Sequence, residues 1–339
     1  MVSVLDGSPK RWLCTLLILT ITLSAVEFSE ISAVHNFSAQ KRKIYILCTG
    51  DAGERLVFRL EMLYAVVGFL EGVGLKYHII KSVDDWGSLI KSEAEGVVVI
   101  NCHGEVIPIP SYYGDDYSSF YRDIANLIKD KGWIFIQIVG YGFYYVGNRK
   151  TVGSVYEVGD TGASVFFNSL GLSYHEGSAP DIINPWCDSQ AVLTSTGEDV
   201  SKVVGIDIPE SVEAIRALAI ATDRLPDHIK ILWYLYKVPE ETKVWQDYPY
   251  LGVVAIKVGK GILVWGGIKA TGTDCGKIAV VATTYVLNPQ FTTIKPRFSL
   301  IMQRAIRVYS LVAIITLFAA LILVILYKKS VPPEVSAKS

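Results

Sequence analysis

Four short apolar runs rich in β-branched residues alternate with stretches of helical period, and this alternation most constrains the fold. KIYILCTGD (43–51) leads into RLVFRLEMLYAVVGFLEGVGL (55–75), whose helical pattern is stopped by Gly72 and Gly74. KYHIIKSV (76–83) is followed by DWGSLIKSEA (85–94), and GVVVINCHG (96–104) by DYSSFYRDIANLIKDKG (116–132). WIFIQIVGYG (133–142) is the fourth run; the stretch 147–215 is less regular, with one helical pattern at GASVFFNSLGL. Regularity returns in ALAIAT (217–222) and KILWYLYKV (230–238). YLGVVAIKVGKGILVWGGI (250–268) reads as a hairpin about Gly259, Lys260 and Gly261, and KIAVVATTYVL (277–287) as a closing helix. Continuous apolar strands separated by helices predict an α/β three-layer sandwich with a mainly parallel sheet, one domain over residues 43–291.

The 339 residues are 51% hydrophobic and 19% charged, enough to bury a large core. Acids (33) and bases (32) nearly cancel, so no overall field attracts nucleic acid, and no nucleic-acid partner is expected. Lys10 and Arg11 precede an apolar run ending in small residues at Ser24 and Ala25, the layout of a signal peptide or signal anchor over 1–26, with a linker at 27–42. Val308–Tyr327 carries no charge, and at ~1.5 Å per residue it spans the ~30 Å hydrocarbon core of a bilayer. Basic residues flank this span on both sides: Lys295, Arg297, Arg304 and Arg307 in the juxtamembrane linker 292–307, Lys328 and Lys329 in the tail 328–339. An export signal sets the orientation: a single-pass type I membrane protein with an extracytoplasmic globular domain and a cytoplasmic tail. Asn36, in NFS, is a glycosylation sequon on the linker. Of five cysteines, Cys14 lies in the signal and Cys48 and Cys102 end apolar strands. Cys187 and Cys275 lie in polar, loop-like stretches and are the disulfide candidates.

In an open parallel sheet ligands bind beyond the carboxyl ends of strands, where the winding reverses. For the strand order 2-1-3-4, strands one and three meet there, bringing Asp51 and Glu54 towards Asn101, Cys102, His103 and Glu105. The fourth strand adds Gly140, Tyr141 and Gly142, and the tyrosine-rich YGFYYVG adds Tyr144. The expected ligand-binding set is Asp51, Glu54, His103, Glu105, Tyr141 and Tyr144, with His103 and Glu105 facing outward and Cys102 inward. A cysteine hydrolase built here would use Cys102, His103 and Glu105. Adjacent strand residues point to opposite faces, however, so Cys102 and His103 are poorly placed to pair. A metal would need further ligands from Asp115, Asp116 or Asp51 by coincidence of folding, so neither metal nor cofactor is expected.

The strand-ending VVVINCHGE, the glycine-bounded elbow IFIQIVGYGFYY and the late VGKGILVWGGI hairpin with its helix resemble the class I glutamine amidotransferase-like domains, including the trehalose-utilisation-type group. The resemblance covers most of 43–291 and implies a flavodoxin-like fold. Catalytic members of that family present a cysteine in a G-x-C-x-G elbow and a later H-x-E. Here Val139–Phe143 holds neither Cys nor Ser, and no H-x-E follows. The resemblance therefore implies a non-catalytic relative that binds a small ligand or protein partner, such as a subunit of a surface complex. The alternative is a surface hydrolase with a non-standard site around His103. The His103–Gly104 pair also resembles the strand-ending His-Gly of caspase-like peptidases, whose next strand end supplies a cysteine that residues 139–143 lack.

Overall fold

A computed structural model describes residues 42–147, 153–174, 181–183, 189–222, 225–239 and 248–288. The chain divides after Lys43, the first residue of the first strand, and the architecture below is otherwise that of the unit beginning at Ile44. In chain order its elements are β1 (Lys43–Leu47), α1 (Arg59–Gly72), β2 (Tyr77–Ile80), α2 (Val83–Ser92), β3 (Val97–Asn101), β4 (Val106–Pro108), α3 (Tyr117–Lys131), β5 (Ile134–Val139), β6 (Tyr145–Gly147) and β7 (Val155–Glu157). There follow α4 (Gly159–Leu170), β8 (Ile182–Ile183), β9 (Ser189–Leu193), α5 (Ser195–Val204), β10 (Ser211–Ala214), β11 (Leu218–Ile220), β12 (Ile229–Lys237), β13 (Tyr250–Val258), β14 (Gly261–Lys269) and α6 (Gly272–Leu287).

The large sheet runs β2-β1-β3-β5-β14-β10-β9-β12-β13-β11-β8. Its first part has the expected 2-1-3-4 order, with β1–β2, β3–β5 and β5–β14 parallel. The expectation of a mainly parallel sheet needs correction, because the pairings among β8 to β14 are antiparallel. The strands of the irregular stretch, β7 to β10, carry too little period to be placed from sequence. On one edge β14 pairs first with β13 (Gly261–Trp265) and then, past an irregularity, with β10 (Ile268 and Lys269). The circuit β14-β10-β9-β12-β13 thus returns to its starting strand. Gly267 permits the switch: its φ is +64° and a Cβ there would meet the Arg216 carbonyl oxygen at 2.0 Å. A second sheet, β4-β6-β7, caps the carboxyl ends of the parallel strands.

Strand alternation sends apolar side chains to both faces. Ile44, Ile46, Val98, Ile100, Ile134 and Ile136 pack under α1, α5 and α6. Val97, Val99, Phe135 and Trp265 pack under α2, α3 and α4, so both faces are covered as a three-layer arrangement requires. Trp86, Trp133 and Trp265 are fully buried, and each indole N–H donates to a carbonyl oxygen, of Pro108, Ala94 and Arg216 respectively. Ser82, Asp116 and Thr271 cap α2, α3 and α6, and Gly132 ends α3 in the left-handed conformation.

Two expectations are revised locally. The first helix begins at Arg59 rather than near Arg55, because the Arg55 backbone bridges to the turn after β3: its N–H donates to His103 O and its carbonyl accepts from Glu105 N–H, both at 3.3 Å. Cys275 lies on α6, not in a loop; it is fully buried and free, in the same core as the free thiols of Cys48 and Cys102. Its polar neighbours Thr271 and Asp274 form a helix cap, which resembles a loop in sequence. Cys187, the other disulfide candidate, lies outside the described residues, as do Asn36, the signal segment and the span 308–327. Among the described residues no helix is long and apolar enough to cross a membrane.

Candidate functional site at the strand ends

The turn after β3 is built by two buried amides. Asn101 Nδ2 donates to Val106 O (2.9 Å) and to Gln137 Oε1 (2.7 Å), while Asn101 Oδ1 accepts the His103 N–H (3.1 Å). Gln137 Nε2 donates in turn to Gly104 O (2.6 Å) and Val139 O (2.9 Å). The one polar residue of IFIQIV thus ties the end of β5 to the turn, so the two chain segments hold a fixed relation. Within the turn Gly104 has φ +70°, and a Cβ there would lie 1.9 Å from Arg55 O.

His103 and Glu105, two residues apart, leave this turn into different surroundings. His103 is fully buried, not outward-facing. Its Nε2 accepts the Thr49 N–H at 2.9 Å, and Nδ1 lies 2.9 Å from Gly53 O, where it donates as the neutral tautomer. Burial pushes its pKa down from 6.5 to about 4, the Gly53 hydrogen bond opposing, so at neutral pH the ring is uncharged. The same loop is braced by Asp51, whose Oδ2 accepts the Val83 N–H at the start of α2 (3.3 Å), and by Glu54, which pairs with Arg59 (3.4 Å). Asp51, Glu54 and His103 therefore secure the β1–α1 loop.

Glu105 is also buried, with 1% of its surface exposed, but among charges and rings. One carboxylate oxygen accepts from Arg55 Nε, and the other accepts the Tyr141 N–H at 3.1 Å. Burial pushes its pKa up, against the pull of the Arg55 and Arg216 guanidiniums. Arg216 lies 3.4 Å over the Tyr141 ring, and burial lowers its pKa to about 10, with Glu105 opposing. Arg55, half exposed, lies 4.5 Å over Tyr145. Tyr144 packs on Tyr141 with its ring tilted by 41° and the centroids 4.4 Å apart, and is half-buried. Leu56 (φ +66°) and Phe143 (φ +69°) flank the cluster in a left-handed conformation that costs non-glycine residues of order 1–3 kcal/mol, a frequent mark of functional sites.

Of the sequence-derived set, Glu105, Tyr141 and Tyr144 meet in one cluster, whereas Asp51, Glu54 and His103 form another. The outward orientation expected for His103 and Glu105 gives way because the loop before α1 and the β4-β6-β7 sheet fold over the strand ends. Cys102, fully buried as expected, has its thiol pKa pushed well up by burial, the nearby Cys48 and Cys275 adding to the rise. Sequence reasoning missed Arg55, Arg216 and Tyr145; only the density of tyrosines near them was a signal.

Two clefts among the described residues lie away from the strand ends. One, about 500 Å³, lies between α2 and α3, where Lys131 pairs with Glu93 (2.8 Å) and Lys91 covers Tyr112 (3.7 Å). The other, about 550 Å³, lies beside β12, lined by Leu225, Ile231, Tyr234 and Lys230.

No protein-family model matches the sequence, and no curated protein sequence matches it. Among solved structures, a ThuA-like protein from Bacteroides uniformis aligns at 11% identity over 77% of this chain and 95% of its own, with a TM-score of 0.38. The glutaminase domain of a Trypanosoma brucei CTP synthase with bound acivicin aligns at 9% identity over 72% and 94%, with a TM-score of 0.35. A β-galactosidase from Bacillus circulans sp. alkalophilus aligns at 13% identity and a TM-score of 0.37; 73% of this chain is covered, which spans only 32% of that enzyme's length. Similarity at this level assigns neither a family nor an activity to the chain.

Proposed function

We propose that the chain is a membrane-anchored, extracytoplasmic binding module. It takes a small ligand or protein partner at the cluster of Arg55, Glu105, Arg216, Tyr141 and Tyr144. One observation carries the reading: the elbow after β5 presents Tyr141, with its N–H held by Glu105 and its ring covered by Arg216. A partly exposed guanidinium beside a cluster of tilted phenol rings suits a flat polar or anionic group, which the arginine would hydrogen-bond and a ring would cover. The alternative, a hydrolase centred on His103, would require the imidazole to give up Thr49 and Gly53 and the Cys102 thiol to ionise inside an apolar core.

The test is purification of the full chain with its membrane, comparing what co-purifies with the wild type and with an Arg55→Ala, Tyr144→Ala double variant. The expected result is loss of one defined component from a variant that remains folded. Unchanged capture would reject this site. Labelling of Cys102 by a thiol-directed activity probe, abolished in His103→Ala, would favour the hydrolase.

A further inference from the structure

We propose that the edge of the large sheet where the parallel strands begin lies against the membrane, its lysines contacting anionic lipid headgroups. The inference rests on the anchored reading above and adds which face meets the bilayer, and through what chemistry.

The strand starts are level: Ile44 pairs with Tyr77, and Ile134 with both Val98 and Ile262. Lys230, Lys257 and Lys260 meet at one corner of this edge, beside Lys129, whose Nζ donates to Ser169 O at 3.0 Å. Lys230 stands opposite Lys257 in the β12–β13 register. The Lys260 N–H donates to Lys129 O at 2.8 Å, and the adjacent Gly259 N–H to His228 O at 3.1 Å. Lys129 falls in the last turn of α3, where the helix dipole accounts for a cation. Lys230, Lys257 and Lys260 belong to strands and a hairpin turn, where no helix end calls for positive charge. Lys230 and Lys260 are exposed; Asp227 and Asp130 are the nearby acids in sequence. The other end of the sheet, where helices begin, carries Asp84, Asp85, Asp116, Asp160 and Asp274 in caps and first turns. Asp274 there is paired with Lys277, as Glu93 on the lysine edge is with Lys131. The contrast therefore rests on Lys230, Lys257 and Lys260 against Asp84, Asp85, Asp116 and Asp160, and an anionic surface would draw the lysine corner.

The chain's route points the same way. α6 starts beside the start of α1, since Gly272 packs on Glu61 and Met62 and Gly276 on Ala65. It therefore runs from the acidic end towards the lysine edge, and the described chain leaves there at Asn288. The uncharged run Val308–Tyr327 follows in sequence, and Lys295, Arg297, Arg304 and Arg307 lie between. Each lysine near an anionic surface changes the affinity roughly five-fold.

The test places the full chain in nanodiscs of phosphatidylcholine, alone or mixed with phosphatidylglycerol, and follows amide exchange at 227–230 and 257–262. The anionic lipid should slow exchange there by about five-fold or more, and high salt should reverse the effect. The Lys230→Glu, Lys257→Glu, Lys260→Glu variant should lose this slowing while exchange in β3 and β5 stays that of the wild type. Equal exchange on both lipids, slowing at the acidic end instead, or protection that depends on protein concentration in detergent would overturn the assignment. Release of the chain from discs of either composition would overturn the anchored reading, and this inference with it.

Discussion

His103 and Glu105 stand on either side of one glycine, are both buried, and nevertheless belong to different kinds of site. Around His103 the hydrogen bonds run to backbone, Thr49 N–H and Gly53 O, and the imidazole is held uncharged. Around Glu105 they run to a guanidinium and a backbone N–H, with three tyrosine rings and a second arginine alongside. Burial alone therefore does not mark function. The first arrangement is saturated by the protein itself, whereas the second leaves a half-exposed cation and a half-buried ring at its rim.

The harshest way to break the comparison is to strike both sides at once. Gly104→Ala would set a Cβ 1.9 Å from Arg55 O at a φ of +70°, separating the Arg55 bridge from the turn. Overlap with backbone cannot be relieved by a rotamer change, so the loss of stability should exceed about 3 kcal/mol, read by urea unfolding. A loss under about 1 kcal/mol would mean that the bridge is not structural.

His103→Ala should cost about 3 kcal/mol at neutral pH, because it leaves the buried Thr49 N–H unpaired, and the partly buried Gly53 carbonyl without its donor, beside a cavity. Its pH signature separates it from Glu105. The folded pKa of His103 lies below its unfolded value, so the unfolded chain binds the extra proton. Stability is then present above pH 6.5 and is lost as pH falls towards about 4, by about 3 kcal/mol. Glu105 has the opposite sign: its folded pKa is raised, so its contribution declines as pH rises through the interval above its ordinary 4.5. Unfolding measured at pH 7 and pH 5 should show the wild type weakening on acidification and His103→Ala weakening much less. Equal slopes would mean that the ring is solvated.

Much of the scaffold was legible because it rests on period. The hairpin at Gly259 and the helix stops at Gly72 and Gly132 follow from alternation and glycine placement, whereas the order 2-1-3-4 is the common one for an open parallel sheet and is not a product of period. The antiparallel circuit was not, since β12, β13 and β14 read as strands whatever their partners, and direction depends on closure through Gly267. The site was half legible for a related reason. Sequence placed Glu105 and Tyr141 at neighbouring strand ends, but Arg216 arrives from a segment between β10 and β11, held by its N–H to Gly267 O at 2.8 Å. No local pattern announces that contact. His103 misled because a histidine ending a strand looks the same whether it meets solvent or a folded-back loop.

The smallest expected effect on stability is the most informative about the second region. Tyr144 is half-buried and its ring packs at a tilt on Tyr141, whose place is also fixed by Glu105 and Arg216. Truncating it removes one tilted ring contact from a cluster that keeps its other supports, so Tyr144→Ala should cost about 1 kcal/mol or less. The proposed ligand face would lose its most accessible ring, and alanine at an aromatic anchor of an interface typically costs about 2 kcal/mol or more of binding. Binding should thus fall at least as much as stability does, whereas in His103→Ala any fall in binding should track the fraction of unfolded protein. Titration of the captured component against both variants, with folded fractions measured alongside, reads the distinction. If Tyr144→Ala binds as the wild type does while His103→Ala loses binding when fully folded, the two regions have been assigned the wrong way round.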